Sequence, residues 1–142
     1  MQPAAAPAPV SRETCLLLPA DLSALTLARI DGRTLLSLLC WHGSQHAAVD
    51  VLYVLVNNAL EHAFTPGEAA QGLDVWLRVS WAGELLIDVT DPAFPDFDRA
   101  AAGELGRGLW GAKQLGASIT YFPATGQGKT VRATMRPGLV PA

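Results

Sequence analysis

Asn57, Asn58 and His62 stand together in a stretch that is otherwise mostly Val, Leu and Ala. On a helix, Asn58 and His62 are i, i+4 neighbours on one face, with Val54 a turn earlier on that face. A buried amide must be satisfied by something, either a backbone group or a ligand. Asp91 follows the alternating run Leu85, Ile87 and Val89 and precedes Pro92-Ala93-Phe94-Pro95. A carboxylate there is usually a turn former or loop cap, with a functional role as the alternative. Gly106-Arg107-Gly108-Leu109 opens a short helical pattern. Glycines at a helix start let a phosphate approach the exposed backbone N–H groups, and Arg107 adds charge. Gly126-Gln127-Gly128-Lys129-Thr130 ends in Gly-Lys-Thr but lies between two strand patterns. The first glycine of a P-loop would fall on Pro123, so that reading is rejected.

The elements that position these groups follow from apolar spacing. A chain of 142 residues, half of them hydrophobic and 16% charged, is one folded domain rather than a disordered one. Its net charge of −3, without a basic run, argues against direct nucleic-acid binding. Residues 1–12, rich in Ala and Pro, are expected as a disordered arm, 13–137 as the domain and 138–142 as a tail. A strand is expected at 13–18. Helical spacing runs from Asp21 to Cys40, and Gly32 within it allows a bend. Ser44 caps a second helix to about residue 64, apolar nearly all round and so packed on several sides. Period-two alternation then predicts a hairpin. Its first strand places Leu73, Val75, Leu77, Val79 and Trp81 on the buried face, Ala82-Gly83 turns, and a second strand runs to residue 90. An irregular loop is expected at 91–105, a helix at 109–115, and a second hairpin with strands at 118–122 and 130–136. This order predicts an α+β fold, an antiparallel sheet with helices on one face. The other face, carrying Trp76 and Arg78, offers a contact surface for solvent or a partner. Cys15 and Cys40 are expected as reduced packing thiols. No apolar run reaches the roughly 18 residues of a membrane span, and no cationic, apolar leader is present. The expectation is a cytoplasmic protein.

Taken in order, these pieces resemble the gyrase/histidine-kinase/MutL (GHKL) ATPase superfamily, and within it the anti-sigma-factor serine kinases. Residues 52–63, Leu-Tyr-Val-Leu-Val-Asn-Asn-Ala-Leu-Glu-His-Ala, look like the helix that ends in Asn-Ala-x-x-His. Residues 86–93, Leu-Ile-Asp-Val-Thr-Asp-Pro-Ala, sit where the family has its first glycine box. Gly106-Arg107-Gly108-Leu109 is similar to the second box, and Gly126 to Thr130 to the last. Leu18-Pro19-Ala20-Asp21 also fits this branch. The resemblance covers roughly residues 14–136. It implies the two-layer α/β sandwich of the Bergerat fold with a pocket for ATP or ADP and Mg²⁺. By position, Asn58 would hold Mg²⁺, with His62 on the same stripe. Asp91 would accept from the adenine amino group, with Ala93 beside the base. Gly106, Arg107, Gly108 and Leu109 would wrap the phosphates, Thr130 would line the adenine side, and 92–105 would be the lid.

The departures from the family pattern bear on function. The resemblance implies a general-base Glu four residues before Asn58, where this chain has Val54. Valine takes no proton, and losing a general base typically costs 10²–10⁴-fold. Glu61 lies about 60° off the Asn58–His62 stripe. Ala93 replaces a glycine, and Pro95 removes an N–H. The leading expectation is a regulatory ATP-binding protein that controls transcription by binding a sigma factor or its STAS-type antagonist, with weak or no kinase activity. One alternative is an active serine/threonine kinase phosphorylating the antagonist, since positioning does most of the work in phosphoryl transfer. Another is a nucleotide-free interaction module. The branch also implies a homodimer.

Overall fold

The computed structural model describes residues 9–62, 72–91, 109–123 and 128–138. In chain order the elements are β1 (Val10–Leu18), α1 (Ser23–Leu39), α2 (Gln45–His62), β2 (Leu73–Ser80), β3 (Leu85–Asp91), α3 (Trp110–Gln114), β4 (Ser118–Pro123) and β5 (Lys129–Met135). The strands form one antiparallel sheet in the order β1-β2-β3-β5-β4. The last strand is thus inserted between β3 and β4.

Alternation sets the two faces of this sheet. Leu18, Leu73, Val75, Leu77, Val79, Leu85, Ile87, Val89, Val131, Ala133 and Met135 are buried and join one core with the apolar faces of the helices. The opposite residues of the same strands form the outer face. Trp81 leaves the expected pattern. β2 ends at Ser80, and Trp81 lies in the turn, 74% exposed. Gly83 takes φ +84° there, which a glycine adopts without strain. The Trp41 indole N–H donates to the Gly83 carbonyl at 3.0 Å, tying the α1–α2 connection to this turn. β1 starts earlier than expected, because Val10 and Arg12 already pair with Ser80 and Val79 across a bulge. The arm boundary expected at residue 12 therefore moves to before Val10.

The helices are built as their spacing dictates. Asp21 Oδ1 accepts hydrogen bonds from the Ser23 hydroxyl and from the Ser23 backbone N–H, the latter at 2.8 Å. α1 begins after this turn and buries Ala24, Ala28, Gly32, Leu36 and Leu39. Gly32 lies within one continuous helix. A Cβ there would sit 2.9 Å from Leu52 Cδ2, so the glycine lets α1 and α2 approach. Cys40 ends α1 in the left-handed region, φ 53°, and its N–H donates to the Ser37 carbonyl. Ser44 caps α2 as expected. Its Oγ accepts from Ala47 N–H at 3.1 Å, and its carbonyl from Ala48 N–H at 3.0 Å. α2 packs on α1, on the sheet and, through Val54 near Gly111, on α3. This accounts for its apolar character on several sides. Cys15 and Cys40 are exposed free thiols rather than packed ones, because Cys15 faces outward on the edge strand and Cys40 lies just past a helix end.

Candidate functional site

The β3–β5 register brings Asp91 and Lys129 directly opposite each other. Counting back by twos from Asp91 gives Val89, Ile87 and Leu85. Counting forward by twos from Lys129 gives Val131, Ala133 and Met135. All six are core residues. Asp91 and Lys129 therefore point to the helix-covered face, where each is 1% exposed. Opposed side chains in an antiparallel pair have Cβ atoms about 4.5–5.5 Å apart. Burial pulls the Lys129 ammonium down to a pKa of about 8, while the negative charge of Asp91 pushes the other way. A buried carboxylate and a buried ammonium each require a charged or hydrogen-bonding partner, and each of these two residues has an interaction partner.

Asn58 comes from the neighbouring helix. It is 1% exposed, and neither its amide oxygen nor its amide nitrogen has a hydrogen-bond partner. Buried amides are nearly always satisfied, so this group is available to a ligand. Val54, one turn earlier, is partly buried against the core. Asn57, on the outer side of α2, donates to the Glu61 carboxylate at 3.3 Å, which directs both away from Asn58. Leu109 is fully buried, and its carbonyl accepts from Ala112 N–H and Lys113 N–H to start α3. His62 ends α2, and its side chain lies outside the described residues. Ala93, Gly106, Arg107 and Gly108 also lie outside them, as does the expected lid.

Thr130 is a correction. Strand alternation puts it on the outer face, opposite Thr90, with the two hydroxyl oxygens 2.7 Å apart. Lys129, not Thr130, shares a face with Asp91. The signal was present in the alternation of Val131, Ala133 and Met135, which puts Lys129 on the buried face.

The outer face carries a network that residue-by-residue reading missed. Glu13 and Arg78 are register partners on β1 and β2, as are Asp88 and Arg132 on β3 and β5, while Arg78 and Asp88 lie diagonally across β2 and β3. Arg78 donates through Nε to Glu13 at 2.9 Å and through Nη1 to Asp88 at 2.8 Å. Arg132 donates to both oxygens of Asp88, at 2.7 and 2.8 Å. That hydrogen bonding holds the Arg132 guanidinium above its already high ordinary pKa. Arg78 also lies over the Trp76 ring at 4.6 Å, and Arg132 over Phe122 at 4.9 Å. Arg78 and Trp76 are thus engaged within the sheet.

The buried, unsatisfied Asn58 amide suits a hard cation or a phosphate. At the other end Lys129 stands opposite Asp91 in the strand register. No helix among the described residues is long and apolar enough to cross a membrane.

Neither family models nor curated proteins give a match to this chain. Among solved structures, it is similar to the RsbU and RsbW domains of Rv1364c from Mycobacterium tuberculosis, with a TM-score of 0.64 and 22% identity. The match covers 89% of this chain, which spans about a third (32%) of that solved chain. The fold is the two-layer sandwich of histidine-kinase-type ATPases, a five-stranded antiparallel sheet with helices on one face.

Proposed function

We propose that this chain is a cytoplasmic regulatory domain of the anti-sigma-factor kinase type, which binds a sigma factor or its STAS-type antagonist and transfers no phosphate. Val54 carries the reading. An apolar side chain packed against the core stands at the general-base position, one helical turn before the buried Asn58. Nothing in that position takes a proton from a serine hydroxyl or from water. The order of the four sequence motifs and the likeness to a solved chain named for RsbU and RsbW domains support the type. The Asn58 amide remains suited to Mg²⁺ or phosphate, so a nucleotide is at most a structural or switching ligand.

The test is co-purification with individual sigma factors and STAS-type antagonists, followed by incubation with radiolabelled ATP and Mg²⁺. The expected result is a stable complex with one of them and no label on the antagonist. Absence of a complex with any candidate overturns the partner. Label on the antagonist restores the active-kinase alternative.

A further inference from the structure

The β2–β3 turn pins the backbone of Trp81 while leaving its ring in solvent. Trp81 N–H donates to the Pro9 carbonyl at 2.9 Å. Gly83 N–H donates to the Ser80 carbonyl and Ser80 N–H to the Glu84 carbonyl, both also at 2.9 Å. The indole is nevertheless 74% exposed. Beside it lies an open cleft of about 210 Å³, lined also by Trp41 and His42 from the α1–α2 connection, by Ser11 and Arg12 of β1 and by Pro137. Several of its polar groups are already engaged. The Trp41 indole N–H is spent on the Gly83 carbonyl, and Arg12 donates to the Leu39 carbonyl at 2.6 Å and to the Ser11 hydroxyl at 3.2 Å. What is left for a ligand is chiefly the ring surface of Trp81, His42 and Pro137.

The chain itself carries a segment suited to such a surface. Residues 1–9 read Met-Gln-Pro-Ala-Ala-Ala-Pro-Ala-Pro, without one charged side chain. We infer that residues 1–8 are the occupant of this cleft, with Pro7 packed on the Trp81 indole, in place of the disordered arm that composition alone suggests. Neither a nucleotide nor a protein partner enters into it. The Pro9 carbonyl, held by Trp81 N–H, fixes where the arm leaves the sheet. Ser11 and Arg12, just after it, already line the cleft, so the chain enters β1 along that surface. Proline fixes φ and favours the polyproline II conformation, which lowers the entropy lost on docking. Aromatic-lined grooves are a recurring seat for such segments. At about 3.1 Å per residue, Pro7 comes within about 6 Å of Pro9, and eight residues reach about 25 Å, which is ample. The tether makes docking intramolecular, with an effective concentration on the order of millimolar, so a weak contact between rings is enough to fill the cleft.

Acrylamide quenching of tryptophan fluorescence tests this, with the Trp81 contribution taken as the difference between each protein and its Trp81→Phe variant. The full chain is compared with a chain lacking residues 2–8 and with Pro7→Gly. In the full chain Trp81 is expected to be quenched several-fold less than in the truncated one, and Pro7→Gly should lose most of that protection. A synthetic peptide of residues 1–9, added at millimolar concentration to the truncated chain, should restore it. Equal quenching of Trp81 in full and truncated chains overturns the inference. So does protection that disappears on dilution together with a dimer seen by light scattering, since the arm of a second copy would then fill the cleft. Circular dichroism checks that the truncated chain keeps its sheet and helices. Should it not fold, Pro7→Gly in the full chain is read in its place, and unchanged quenching there overturns the inference in the same way.

Discussion

Arg132 holds Asp88 with two donors at once, Nε on Oδ1 at 2.7 Å and Nη2 on Oδ2 at 2.8 Å. Asp88 is nearly buried, and Arg78 takes the same Oδ2 from the other side at 2.8 Å. One carboxylate therefore joins two guanidiniums on flanking strands. Asp88→Ala leaves both without it and should cost about 3 kcal/mol, in the range for breaking a buried pair. Asp88→Asn, which keeps the shape and one acceptor, should cost less. Urea denaturation checks the order, and equal losses for the two variants would show that the charge carries the whole effect and the retained acceptor none of it.

Lys129 gives stability a pH dependence of definite sign. Its folded-state pKa of about 8 lies below the ordinary 10.5. Between those values the unfolded chain binds the proton and the folded one releases it, so stability rises with pH across that window. The full rise is on the order of 3 kcal/mol, from 2.5 units at 1.36 kcal/mol each. Denaturation at successive pH values should show this rise in wild type and not in Lys129→Met. Parallel curves for the two proteins would refute it.

Asn58 has a buried amide with both polar atoms unsatisfied. Replacing such a group by an apolar side chain of similar size removes a desolvation penalty. Asn58→Leu should therefore raise stability by about 1–2 kcal/mol while removing any affinity for cation or phosphate. A drop in melting temperature would show that the amide serves the fold instead.

Gly32 faces Leu52 Cδ2 at a distance that a Cβ would reduce to 2.9 Å. Gly32→Ala gains about 1 kcal/mol of helix propensity and spends much of it moving Leu52, for a net change near zero. Gly32→Leu has no room and should cost roughly 1–3 kcal/mol. Equal thermal stability of the alanine and leucine variants would mean that the helices separate freely.

The local elements were legible because local rules govern them. Ser44 capped its helix, and Leu73 to Val79 and Leu85 to Val89 alternated as buried strands must. What the spacing alone did not reveal was pairing between distant strands. Glu13, Arg78, Asp88 and Arg132 each read as ordinary wet-face charges, and only the register makes them one network. Lys129 was legible in principle from the alternation of Val131, Ala133 and Met135, but the Gly-Lys-Thr pattern drew attention to Thr130. Trp81 broke the alternation because the chain turns there and a turn has no inner face. Asn58 and Asp91 were both picked out by type and position, and the structure buries both. The glycines and Arg107 of the second box, and Ala93, fall outside the described residues.

The strand order β1-β2-β3-β5-β4 carries a consequence for the order of synthesis. As the ribosome extends the chain, β1, β2 and β3 can zip together as soon as Asp91 has emerged. β4 then appears with nothing to pair with, because its only neighbour among the described strands is the one made after it. Until Met135 is out, one edge of the nascent sheet stays open along β3. The β3–β5 ladder is thus among the last contacts that biosynthesis can complete.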